Sequence, residues 1–436
     1  MSWIWTAIVN AAYWIAVRLM AVGVQSTIAV AIGYIVVGSA AVYAGKALMG
    51  RLTLAPQIGL GQQGLSILSN APSNSAPIPV IYGTRRVGGT RVFVGTSDAM
   101  EANDLTKLHT KNGFLNMVFV VAEGPVTEIS AVYLNNVEAW PNRDPRFTGW
   151  EPGDETVYIE PHIGTTDQAA SQQLINISNN TSPDWAWTAE HKLSGLAYVY
   201  VRLAYHPEVW ASGVPVMSCD VRGKAVLDYR STITSGAVSI ERYSDNPSLA
   251  IRDYLTNTVY GRGIDTALIG NTSFNDAADY CDEEVTFTQI VSGTTTSVTQ
   301  KRYTLNGVVN TAETNMDTLQ KMLTSCRGSL VFSGGFYKLV LDKTETATLT
   351  FDESNVMGDY EIIRGGKDML ANRISANFFN PDREWQADFA FEESAAYKTA
   401  DNDLLLEKKI ELPFTADMLM AKYIALQNLK ASRQNI

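Results

Sequence analysis

Hydrophobic and polar positions are distributed unevenly along the chain. Residues 19–45 carry no charge over 27 positions, and Arg18 and Lys46 are the only charges in residues 1–50. That run exceeds the roughly 20 residues a helix needs to cross a bilayer. Two apolar helices fit it, at about 3–22 and 27–48, with a turn near 23–26. Gly33, Gly38 and Gly45 would let such helices approach closely. Trp3, Trp5, Tyr13 and Trp14 at one end, with Tyr34 and Tyr43 at the other, are spaced as interfacial aromatics are. A cleaved signal peptide would place positive charge ahead of its apolar run, and residues 1–17 contain no Lys or Arg. Two readings remain: a membrane anchor or hairpin, or helices of an oligomer that bury against their symmetry mates. A helix apolar all round must be covered by something, and both lipid and protein satisfy the pattern.

Residues 51–76 change to Gly, Gln, Asn, Ser and Pro and read as a linker arm. The arm contains a formal GxGxxG at 59–64. A dinucleotide loop would need a preceding strand and an acid about 20 residues on. Here Pro56 interrupts the upstream run and the next acid is Asp98. Strand signals begin at 78–82 and recur at 91–94, 114–121, 127–134, 155–160 and 196–205, with the Gly-rich stretch 83–89 predicted as a turn. A helix is predicted over 166–180. Residues 77–244 therefore read as a β-rich domain.

At 245–247 an Asx residue before Pro predicts a helix start, with Gly261 and Gly263 after its end. Further helices are predicted at 273–284 and 314–326, the latter capped by Thr314 or Asn315, around a hairpin over 285–308. This makes 245–327 an α+β module. Beyond it, 328–436 shows a hairpin at 329–341 across Gly334 and Gly335, strands at 371–379 and 385–391, and a helix from a Thr415 cap to about 433. Leu419, Tyr423 and Leu426 are its expected apolar face. The predicted fold class is α+β and mainly β, with an apolar helical segment first and a helix last.

Charge sharpens the division. No acid precedes Asp98, so residues 1–97 sum to +6, and the remaining 28 basic against 45 acidic residues give −17. The total of −11 argues against a general nucleic-acid binder, which needs a basic surface to meet phosphate. Only 18% of residues are charged and 46% are hydrophobic, which excludes wholesale disorder.

Candidate chemistry is sparse. Cys219, Cys281 and Cys326 are odd in number, form no CxxC and read as buried thiols. His109, His162, His191 and His206 have no metal-ligand spacing. The acid-rich stretches 282–284 and 401–403 could hold a cation but read better as solvated faces. Arg85 and Arg86, in the predicted turn, could bind an anion or simply aid solubility. No catalytic residue, cofactor-binding residue or metal ligand is assigned, and no cofactor is expected; the pattern does not argue for an enzyme.

Four segments nonetheless occur in a recognisable order: 77–89 (PIPVIYGTRRVGG), 220–230 (DVRGKAVLDYR), 245–263 (DNPSLAIRDYLTNTVYGRG) and 302–335, with RYTLNG and GSLVFSGG at its two ends. Together they resemble the tail hub and tip-attachment proteins of long-tailed phages, the lambda-like tip protein among them, over roughly 77–436. The resemblance implies a virion protein of the tail tip: a homotrimeric hub of β-barrel-like domains with an α+β insertion, closing the distal tail tube and organising fibre attachment. The implied partners are distal tail and tail tube proteins, the tape measure protein and tail fibres. DNA would be met only in transit during genome ejection, and the host membrane through residues 1–50. A contrasting expectation is a membrane-anchored bacterial envelope or secretion-system component with a β-rich soluble portion. An envelope-degrading enzyme is a weaker third reading, because no acid pair or nucleophile is found.

Overall fold

The runs 114–121 and 196–205 are apolar at nearly every position rather than at alternate ones, a pattern that fits a strand covered on both faces. The computed structural model describes residues 70, 76–99, 110–147, 156–181, 183–205, 209–232, 241–291, 294–344 and 370–434. The apolar segment 1–50 and most of the arm 51–76 lie outside these residues.

The first half begins with β1 (Val80–Tyr82), β2 (Thr84–Gly88), β3 (Thr90–Ala99) and β4 (Thr110–Glu123). It continues through β5 (Val126–Leu134), β6 (Val137–Trp140), β7 (Val157–His162), helix α1 (Gln172–Thr181), β8 (Leu196–Ala204), β9 (Met217–Leu227) and β10 (Glu241–Tyr243). One antiparallel sheet has the order β3-β4-β8-β7; a second runs β10-β9-β5-β6, with β2 also paired to β9. Met117, Phe119 and Val121 of β4 and Val199 and Val201 of β8 face Ile129 and Val132 of β5 and Cys219 and Val221 of β9, so the two sheets bury one core between them. The alternate residues Val118, Val120, Tyr198 and Tyr200 are buried under Leu174, Ile177 and Trp187 from α1 and the segment after it. Covering by helix on one face and sheet on the other is why the strand sequences lack alternation.

The second half contains α2 (Pro247–Thr256), α3 (Asn271–Asp282), the hairpin of β11 (Glu284–Val291) and β12 (Thr294–Lys301), β13 (Gly307–Val309) and α4 (Asn315–Thr324). There follow the hairpin of β14 (Gly328–Ser333) and β15 (Phe336–Leu341), then β16 (Arg373–Asn380), β17 (Gln386–Glu393), α5 (Ala395–Ala400), β18 (Glu407–Glu411) and α6 (Met418–Gln434). β16 is central, antiparallel to β17 and parallel to β18. A single apolar core joins Leu249 and Tyr254 of α2, Phe274 of α3, Met322 of α4, Leu339 of β15, Phe378 of β16 and Ile424 of α6. β1 enters this core through Val80 and Tyr82 and pairs antiparallel with β13.

The protein is thus α+β and mainly β, with a helix as its last described element. Among the described residues no sheet closes into a barrel; the barrel-like expectation takes the form of open sheets. Three local expectations are corrected. The stretch 83–89 is not one turn: only Gly83 turns, at φ +66°, and Thr84–Gly88 is a strand because it pairs with β9 from Arg222 to Ser218. The cap of α6 is Asp417, whose Oδ1 accepts from the Met420 amide at 2.6 Å; Thr415 is fully buried behind it. Finally, α6 buries Met420, Ala421, Ile424, Ala425 and Leu429 against β16 and β17; of the expected face Leu419, Tyr423 and Leu426, only Tyr423 packs partly against this core.

Candidate functional site

The four segments singled out in the sequence meet at Tyr82–Gly83. The Tyr82 hydroxyl donates to Asp253 Oδ2 at 2.5 Å and the Tyr260 hydroxyl donates to the same oxygen at 2.9 Å. Burial, reinforced by the Asp253 charge, pushes the pKa of both phenols up, so each stays a donor. The Thr84 amide donates to Asn306 Oδ1 at 2.8 Å, and the Gly223 amide to the Gly83 carbonyl at 2.7 Å. Two glycines are dictated by close approach. A Cβ on Gly83 would lie 2.1 Å from the Leu305 carbonyl oxygen, and one on Gly223 would lie 2.1 Å from the Ile81 carbonyl oxygen. Residues from 82 to 306 are brought to one junction, where both halves of the molecule are tied together.

Arg85 and Arg86 lie one residue beyond it, and their neighbours in adjacent strands separate their roles. Arg86 makes a two-point pair with Asp220, at 2.7 and 2.9 Å, and lies over the Tyr133 ring. Arg85 points to the other side of β2. It is 2% exposed, and its guanidinium carbon lies 3.6 Å from the centroid of the Phe379 ring and 4.9 Å from that of Trp385. No carboxylate among the described residues pairs with it, and its Nη1 has no hydrogen-bond partner. Burial, unopposed by a counterion, pulls its pKa down to about 9. It lines a cavity of about 290 Å³ whose walls include Val87, Val309, Phe379 and Phe414. Among the described residues the cavity's other cation is Lys321, held by Glu313 at 2.6 Å. Neither arginine is a surface solubility residue; the turn reading missed both because the acid and the rings they meet are brought in from elsewhere in the chain, Tyr133 from 47 residues on and Asp220, Phe379 and Trp385 from more than a hundred.

The remaining sequence candidates are structural. Asp282 is shared by Arg230 at 2.8 Å and Lys301 at 3.1 Å, and Glu283 pairs with Arg302 at 2.7 Å. Asp401 accepts from Arg433 Nη1 at 3.1 Å and from Asn372 Nδ2 at 2.8 Å, anchoring the end of α6. In each cluster the first acid, Asp282 or Asp401, is a part-buried ion-pair site, while Glu283, Glu284 and Asp403 are exposed as expected of a solvated face. His162 stacks on Tyr198 with its Nε2 2.9 Å from Glu160, and His191 Nδ1 accepts from the Thr188 amide at 3.0 Å. His109 and His206 lie outside the described residues. The three cysteines are buried and free, and burial raises the pKa of Cys219 and Cys281. Among the described residues no group of three or more His, Cys, Asp or Glu stands together as a metal site.

No protein-family model matches the chain, and no curated protein does. Among solved structures, one similar to it is from the virion of a native gene transfer agent (GTA) particle. It aligns over 91% of this chain and 84% of that one, with a TM-score of 0.48 and 15% identity.

Proposed function

We propose that this protein is a structural subunit of a phage-type virion and, more finely, the hub of its tail tip. The observation that supports this reading best is the meeting of all four hub-like segments at Tyr82–Gly83, which makes them parts of one structural unit rather than scattered likenesses. Exposed apolar side chains are consistent with a subunit made to be covered. The outer face of the β14–β15 hairpin carries Val331, Phe336 and Val340, and one face of β17 carries Phe389 and Phe391, both exposed.

In this reading three copies close the distal tail tube, meeting distal tail, tail tube and tape measure proteins and presenting fibres. The acid-rich body would line a conduit that repels DNA in transit and keeps it from sticking. Residues 1–50 would plug that conduit or enter the host membrane on ejection. Light scattering on the purified full chain, in detergent-free buffer, is expected to give the mass of three copies. A monomer across the micromolar range, or material recovered only with membranes, would overturn the hub reading.

A further inference from the structure

We infer that the Arg85 cavity is a binding site for a monovalent carboxylate with a small apolar body. A buried guanidinium without a counterion is costly, and its planar fork matches the two oxygens of a carboxylate. Stacking on Phe379 and Trp385 holds the group in place but supplies no negative charge. The Glu313 carboxylate, which lines the same cavity, is taken by Lys321. The chain leading into the cavity at Ala76 and Pro77 cannot supply an acid either, since residues 1–97 contain no Asp or Glu.

Among the described residues Arg85 is the one cation of the cavity without a paired acid, and a lone guanidinium selects a single negative charge. A phosphate dianion would ask for a second cation, and Lys321 is committed. Val87, Val309, Phe414 and the Phe379 ring suit a branched aliphatic body, and about 290 Å³ is room for a small acid or one terminal residue of a peptide rather than a larger cofactor. Such a carboxylate could arrive as a free metabolite-sized acid or as the end of a partner's chain. The recognition chemistry is the same and does not depend on which assembly the protein joins.

The test is thermal melting of the full chain at constant ionic strength with three kinds of probe. Isovalerate supplies the free acid, isoamyl alcohol its neutral counterpart, and a pentapeptide ending in valine, with a free or an amidated terminus, supplies the chain end. A carboxylate at about 50 mM is expected to raise the melting temperature by about 2 °C or more, as an affinity near 1 mM requires, while the alcohol and the amide do not. A rise with isovalerate alone assigns a free acid; a rise with the free-terminus peptide alone assigns a partner's chain end. No rise with either overturns the inference.

Arg85→Met is expected to melt at or above the parent temperature and to lose the response. A response that persists, or a melting temperature lowered by more than about 5 °C, overturns the inference in favour of a purely structural clamp. Arg85→Lys keeps the charge without the fork and is expected to fold and to show less than about half of the parent shift; an undiminished shift also overturns it.

Discussion

Asp228 shows how a single side chain carries more than its sequence neighbourhood reveals. Its carboxylate accepts from Arg230 Nε at 3.0 Å and Nη2 at 2.9 Å, and Arg230 reaches on to Asp279 and Asp282. The Arg230 guanidinium, against the opposing effect of burial, holds the Asp228 pKa below the ordinary 3.8. A depressed carboxylate contributes stability that is fully present above the unfolded-state value and is lost as pH falls through the folded-state value. Asp228→Asn is therefore expected to cost roughly 1.5–3 kcal/mol at pH 7, the range for hydrogen bonds to charged groups. The gap to the parent should close as urea titrations are repeated at and below pH 4; a gap unchanged by pH would refute the assignment. Sequence showed the Asp228–Arg230 pair as part of a motif but not its partners, since Asp279 and Asp282 come from a helix some fifty residues later. Arg85 is the sharper case, because adjacency to Arg86 said nothing about the opposite faces of a strand.

At the scale of elements, the start of α2 was legible because capping is local. Asn246 Oδ1 accepts from the Ser248 amide at 3.0 Å, and Pro247 occupies the first helical turn. What was not legible is that the same side chain donates to the Ala278 carbonyl of α3 at 2.9 Å, and that Ser248 Oγ donates to the Phe274 carbonyl at 2.7 Å. The cap is also a helix–helix clasp. Asn246→Ala should thus exceed the cost of an exposed cap, at about 2–4 kcal/mol, because it also strands a buried carbonyl. Asn246→Asp, which keeps the cap and loses the donor, should fall between the two in chemical denaturation; equal losses would argue against the clasp. β18 and α5 escaped the pattern altogether. The lysine- and glutamate-rich Glu407–Glu411 is a strand only because β16 offers it a parallel edge, with Asn377 Nδ2 donating to Glu411 Oε1 at 2.8 Å.

For the whole molecule, the open face of the β17-β16-β18 sheet is the feature that most directly concerns assembly. One face of the sheet is packed by α6, whereas Phe389 and Phe391 on the other are 62% and 48% exposed. Replacing both, Phe389→Ser with Phe391→Ser, should leave the unfolding free energy of the isolated subunit within about 0.5 kcal/mol per site, as for exposed positions. If the face is covered by a neighbouring copy, sedimentation should show the replacement lowering the trimer fraction; an unchanged distribution would remove this face from the interface.

Periodicity, caps and turn residues acted over a few neighbours, so the sequence by itself determined many of the strands and helices, a hairpin within 285–308 and another at 329–341, and the split between an apolar basic head and an acidic sheet-rich body. Only the tertiary structure decided which faces were buried, that residues 84–88 join a sheet, that Tyr82, Asp253 and Tyr260 share one carboxylate oxygen, and that Arg85 is enclosed with no paired acid among the described residues. The reason is physical: burial and ion pairing depend largely on segments separated by tens to hundreds of residues along the chain, and no local pattern carries information about what those distant segments bring.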